Sequence, residues 1–236
     1  MGARRPLNMS IRGISLNFAS LQFAGFMGLV WVLNALMPSV RWQNTLLLAV
    51  SYYFYACWDA RLLGLIALVT AVTYGVGQVL ARPDLSATVR TRVLVGSLVF
   101  SLLVLGTFKY YDFFAVSFAA LMSSLGVQVR PWLLHWVLPA AISFYTFESI
   151  SYVVGAYKRE LVRQPTWMEY ALFIAFFPKL VAGPIERPNV LIPQLAHRRR
   201  VDAAMVWRGL FLILLGLAKK VAIADGLAPY VSSVYD

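Results

Sequence analysis

Six stretches of this chain, Phe18–Met37, Gln43–Trp58, Leu62–Leu80, Val93–Phe108, Trp132–Tyr157 and Val206–Ala224, run with almost no charge. Several approach the roughly 20 residues that cross a hydrocarbon core. Two shorter ones, Phe113–Leu125 and Tyr170–Val181, suit re-entrant or interfacial segments. With 60% of its 236 residues hydrophobic and 13% charged, the chain cannot wet the surface of a soluble domain of this size. In lipid each backbone amide must find its partner inside its own segment. The expectation is therefore all-α: a multi-pass transmembrane helical bundle with short re-entrant or interfacial helices, forming one membrane domain over residues 1–236. The stretch after Ile14 is too long for a cleaved signal peptide and shows no small-x-small site near its end, so it reads as the first span.

The formal charge of +11 does not point to nucleic acid. Arg82, Arg90 and Arg92, then Lys158, Arg159 and Arg163, then Arg198, Arg199 and Arg200 lie between apolar segments, where they suit anionic lipid headgroups. Charge alone leaves the orientation tied over the first three spans. One side receives Arg4, Arg5, Arg12 and Arg61; the other receives Arg41, Arg82, Arg90 and Arg92. Cys57 is the single cysteine, and His135 and His197 are the only histidines, so no metal-ligand cluster is expected. His135 sits in the apolar run "LLHWVL" as a core or interfacial residue, and His197 beside Arg198–Arg200 as a solvated one. No nucleophile elbow, P-loop or dinucleotide fingerprint occurs.

Placed on a helix, Tyr145, Glu148, Ser149 and Tyr152 fall at i, i+3, i+4 and i+7 and share one face, while Phe147, Ile150 and Val154 take another. The polar stripe should look into the bundle and the phenylalanine side toward lipid or protein. An ionisable group at membrane depth must be paired, protonated or wetted. Glu148 is thus either a helix-packing group, ion-paired with Lys179 if the two segments meet, or a functional carboxylate on a water-accessible path. Further on, Pro178, Pro184, Pro188 and Pro193 with Gly183 stop the helix begun near Tyr170. Non-helical backbone carrying Glu186 and Arg187 survives near a membrane where protein buries it or water reaches it. Ala67, Ala71 and Gly75 form a small-residue stripe on the third span, expected to let a neighbouring helix approach closely.

Two long motifs, "LPAAISFYTFESISYVVGAYKRE" and "FIAFFPKLVAGPIERPNVLIPQL", resemble the membrane-bound O-acyltransferase (MBOAT) family, in particular its bacterial alginate O-acetyltransferase branch. Upstream "NTLLLAVSYYFYACWDARLLGL" and "FKYYDFF", and downstream "GLAKKVAIADGLA", are similar to the same branch. The resemblance implies transfer of an acyl group, typically acetyl, to hydroxyls of an extracellular or envelope polysaccharide such as alginate. It implies no bound cofactor, an acyl donor (acetyl-CoA or another activated acyl group) as co-substrate, and a multi-pass place in the bacterial inner membrane. The partners implied are membrane lipid, the donor, and a polysaccharide acceptor reached directly or through a periplasmic acyltransferase, with no nucleic acid.

The family's central histidine, on a later membrane helix, matches neither His135 nor His197. No catalytic residue carries over. The chain reads as the amino-terminal part of such a domain, inactive alone. A scaffold and substrate-path role carries over to Ser143, Tyr145, Glu148, Pro178, Gly183, Pro184 and Arg187; Ser149, Tyr152 and Lys179 join them through the stripe and the possible pair. The alternatives are a transporter or channel-like membrane subunit, which should show internal pseudo-symmetry that the sequence lacks, and a non-catalytic scaffold.

Overall fold

Long apolar runs without proline leave the backbone helix as the one way to satisfy its amides, and helix dominates the computed structural model. The structure describes residues 10–11, 14–15, 21–134, 139, 141–180, 183–199 and 202–235, so His135 lies outside the described residues. The chain divides into two units: Met1–Leu36 with Arg199–Asp236, and Met37–Arg198. In the first, β1 (Ser10–Ile11) and β2 (Ile14–Ser15) form a two-residue antiparallel pair, and α1 (Leu21–Leu36) follows.

In the second unit Ser39 caps α2 (Val40–Asp59) by accepting from the Trp42 amide. A 3-10 turn at Ala60–Leu62 leads into α3 (Leu63–Leu80). Asp59 caps that turn, accepting from the Arg61 amide at 2.9 Å, and hydrogen bonds from the Arg61 side chain and amide hold its carboxyl below the usual carboxylate range. Ser86 caps α4 (Ala87–Leu105), which passes through a π turn at Gly106–Tyr110 into α5 (Tyr111–Ser124). Two helical runs, Ala60–Leu80 and Ala87–Ser124, are long and apolar enough to cross a membrane.

Four expected segments need correction. Val93–Phe108 and Phe113–Leu125 are one helical rod, because nothing between them removes a backbone donor and the π turn absorbs the irregularity at Lys109. Trp132–Tyr157 is not one span: residues 131–134 are non-helical, and α6 (Ile142–Lys158) begins only after Pro139. Left-handed residues bound it at both ends, Ala141 and Arg159, each at φ 61°. Short helices follow: α7 (Trp167–Ala175), α8 (Phe177–Leu180) and α9 (Pro188–Ala196). In the first unit, α10 (Ala203–Ala218), a π turn at Lys219–Ala224 and α11 (Asp225–Tyr235) run on past the expected end at Ala224, with Lys220 paired to Asp225 at 2.6 Å inside the rod.

One arginine fixes how the helices of the second unit lie. Arg90, buried in the first turns of α4, donates to the carbonyl of Leu80 at 3.2 Å and to that of Tyr157. It thereby closes the C-terminal ends of α3 and α6 together. These two helices therefore run parallel, with α4 antiparallel to both. Lys109 Nζ donates to Ser143 Oγ at 3.1 Å and ties α4's far end to the start of α6.

The small-residue stripe does not mediate close packing. Ala67, Ala71 and Gly75 are exposed, and a side chain at Gly75 would meet nothing within 4 Å. The buried line on α3 is instead Ile66, Thr70, Thr73, Gly77 and Leu80. At Gly77 a Cβ would overlap the ring of Tyr152, so this glycine is where α6 comes closest. Small residues alone do not say which face is used; the phase is set by the partner's tyrosine.

Candidate functional site

The proline-rich segment folds as a hairpin that enters and leaves at one end of α2. Its first leg starts at a capping box: Thr166 Oγ1 accepts from the Glu169 amide, and the Glu169 carboxylate accepts from the Thr166 amide at 2.8 Å. Glu169 also pairs with Arg163 at 2.8 Å. Near the start of α2, Thr45 Oγ1 lies 3.6 Å from Met168 Sδ. Deeper, the Phe177 amide donates to Ser51 Oγ at 3.2 Å, and the Phe54 and Phe177 rings meet at 5.6 Å. The segment has by then descended alongside α2 to about its middle.

There the helix breaks. Phe176 adopts ψ 105°, and Pro178 has no N–H to offer the carbonyl of Ile174. After the turn of α8 the chain returns: Asn44 Nδ2 donates to Leu195 O at 2.9 Å, and Asn189 Nδ2 to Glu160 O at 2.8 Å. The end of α9 thus lies level with the start of α2, and its beginning with the residues just after α6.

At the floor of this hairpin Lys179 Nζ meets Glu148 Oε1 at 2.7 Å. The side chains are only 7% and 3% exposed, so this is a buried pair. The same oxygen accepts from the Glu186 amide at 3.3 Å, which ties the returning strand to α6. The Lys179 ammonium also stands 4.1 Å from the Phe173 ring centroid. Gly183 closes the turn by donating to Lys179 O at 2.8 Å, and any Cβ there would run into the Lys179 backbone. Lys179, Glu186 and Gln194, with Phe176, Val190 and Leu191, line a cleft of about 180 Å³ between the hairpin's legs. A larger, shallow groove of about 700 Å³ along α4, from Ala87 to Gly96, has Arg92 as its only charged lining residue and no converging chemistry.

The expected residues divide around this centre. Glu148, Lys179 and Gly183 come together, so the ion pair that the sequence left open is formed. Tyr145, Ser149 and Tyr152 are buried on the inward face of α6, as their spacing implied, but they meet other helices: Tyr145 lies against Tyr55, Ser149 near Tyr170, and Tyr152 is 4.3 Å from Tyr170 ring to ring. Pro178 is half-buried beside the pair, whereas Pro184 and Arg187 are exposed on the returning strand. Ser143 sits at the other end of α6, bonded to Lys109.

Residues not singled out from sequence complete the site. Ser51 and Thr73 are buried hydroxyls on apolar helices; each donates to the carbonyl four residues back and then meets the hairpin, Thr73 through Tyr170 OH at 2.7 Å. Their signal was a hydroxyl in an otherwise apolar face. Gln194 and the Glu186 amide carried none.

The similarity found elsewhere fits this arrangement. The chain is 38% identical over 205 residues to the Probable alginate O-acetylase AlgI of Azotobacter vinelandii, covering 86% of this chain and 40% of that protein. It is 38% identical over 204 residues to the Pseudomonas aeruginosa protein of the same name, covering 86% and 38%. A Peptidoglycan O-acetyltransferase of Helicobacter pylori is 30% identical over 238 residues, covering 90% and 44%. The chain thus spans about two fifths of the length of the curated relatives it matches. No protein-family model matches it, and no solved structure does so significantly. Over that part of their length, the chain is similar to these O-acetyltransferases.

Proposed function

We propose that the chain works within a multi-pass membrane O-acyltransferase of the bacterial inner membrane, which moves acetyl groups to hydroxyls of an envelope or extracellular polysaccharide. The observation that carries this reading is the buried Glu148–Lys179 pair beneath a cleft, at the floor of a hairpin whose backbone is non-helical at the depth of α2's midpoint. Non-helical backbone at that depth is stable where protein encloses it or a polar cavity borders it, and here both hold. A fixed ammonium at a small cleft that Glu186 and Gln194 also line can orient the carbonyl of an activated acyl group, while the carboxylate behind it keeps the ammonium in place. The relatives' names supply alginate and peptidoglycan as polysaccharide acceptors. The histidine that the family resemblance implies has no match among these 236 residues. The role proposed for this chain is therefore binding and positioning. The transporter alternative finds no counterpart among these relatives.

The test is ester-linked acetate on envelope polysaccharide in the native host. Deleting the gene should remove it and re-expression restore it, and Glu148→Gln should lower it at unchanged protein level. Polymer acetylation unaffected by the deletion would refute the proposal.

A further inference from the structure

The helix directions sort the charges of the second unit in a way the sequence could not. The start of α2, the ends of α3 and α6, the start of α4 and both legs of the hairpin share one end, as the contacts of Arg90, Thr45, Asn44 and Asn189 establish. Arg41, Arg82, Arg90, Arg92, Lys158 and Arg159 lie there on helix termini. The connectors and the hairpin's return add Arg163, Arg187 and Arg198, the last donating to Met37 O. The opposite end, with the α2–α3 turn and the π turn after α4, holds Arg61, Lys109 and Arg130. Arg130 belongs to this end because the nearby Leu134 amide donates to Asp112 at 2.9 Å.

Nine cations therefore face three. Setting aside Arg90, buried between carbonyls, and the ion-paired Arg163, Lys158 and Arg61, six still face two. Asp84, Glu160 and Glu169 share the basic end without reversing its sign, and carboxylates carry little weight in setting topology. The tie in the sequence arose because only the first three spans could be followed. The re-entrant course of residues 167–196 returns the later cations to the side of Arg41.

We propose that this basic end faces the cytoplasm, set against the anionic headgroups of the inner leaflet. This rests on reading the second unit as membrane-embedded. Short cytoplasmic connectors carry the excess of Lys and Arg in membrane proteins, and anionic lipid on that side attracts them. The hairpin is then entered from the cytoplasm, and the cleft between its legs leads from that compartment down to Lys179.

Cys57 as the single cysteine makes the orientation directly measurable. In a Cys57→Ser background, Arg61→Cys and Arg130→Cys mark one end, and Arg82→Cys and Lys158→Cys the other. A membrane-impermeant maleimide applied to intact spheroplasts should label the first two, and label the second two only after permeabilisation. Inside-out vesicles should give the mirror image. Arg61, Arg82 and Lys158 lie at the ends of elements and Arg130 in the connection after α5, and labelling of all four in permeabilised membranes checks that each variant is inserted. The reverse pattern, or equal labelling of both ends in intact spheroplasts, overturns the proposal. Loss of acetyl transfer in any variant bears on the enzymatic reading alone, because accessibility is read without activity.

Discussion

Replacing Lys179 with Met should be among the most damaging changes to the hairpin. It removes the cation bonded to Glu148, whose side chain is 3% exposed, and leaves the carboxylate, among the described residues, with the Glu186 amide. Breaking a buried pair from one side costs about 3–5 kcal/mol. The carboxylate's escape is protonation, which from a reference pKa near 4.3 costs about 3.7 kcal/mol at pH 7, so the two estimates agree. At roughly 2–4 °C per kcal/mol for a chain of this size, the apparent melting temperature should fall by about 10 °C. The double variant Glu148→Gln with Lys179→Met has no uncompensated charge and should recover most of that loss, to within about 1 kcal/mol of the parent. Heating the detergent-solubilised protein and following the monodisperse fraction by size exclusion reads all three. A Lys179→Met protein within about 2 °C of the parent, or a double variant no better than the single, would refute the reasoning by showing that the pair is solvated and not buried.

Three further outcomes follow from the packing. Gly77→Ala should lower stability by about 1–3 kcal/mol, because its Cβ would overlap the Tyr152 ring, whereas Gly75→Ala should be neutral or slightly stabilising; paired melting curves decide it. Gly183→Ala should dislodge the turn below the cleft, since the clash is with the Lys179 backbone, which cannot rotate away, and limited proteolysis at residues 183–187 should accelerate. Arg90→Leu should cost about 2–3 kcal/mol by stranding two carbonyls at helix ends, while Arg90→Lys, able to reach one of them, should fall between; thermal denaturation distinguishes the three.

Glu148 and Lys179 were legible because a carboxylate and an ammonium in apolar runs must find each other or water, and the inward face of Tyr145, Glu148, Ser149 and Tyr152 followed from its spacing. The prolines likewise announced the break at Phe176. What could not be read was which apolar face packs against protein and which stays exposed. On α3 the exposed Ala67, Ala71 and Gly75 and the buried Ile66, Thr73 and Gly77 differ little in polarity, because lipid tails accept the same side chains that a helix interface does. The distance from Glu148 to the Glu186 amide depends on the hairpin's return, a backbone event with no residue-type signature. Arg90 looked like one more headgroup cation among several; only the meeting of two helix ends gives it a different task.

That task has a mechanical side. A guanidinium bonded at once to Leu80 O and Tyr157 O behaves as a rivet between two parallel rods. Sliding either by one turn, about 5.4 Å, would strip the bond at its own end and leave a bare carbonyl. The riveted helices α3, α4 and α6 are thereby held in register, and the floor of the hairpin is fastened to the second unit by the Glu148–Lys179 pair, the Glu186 amide and the Ser51 hydroxyl.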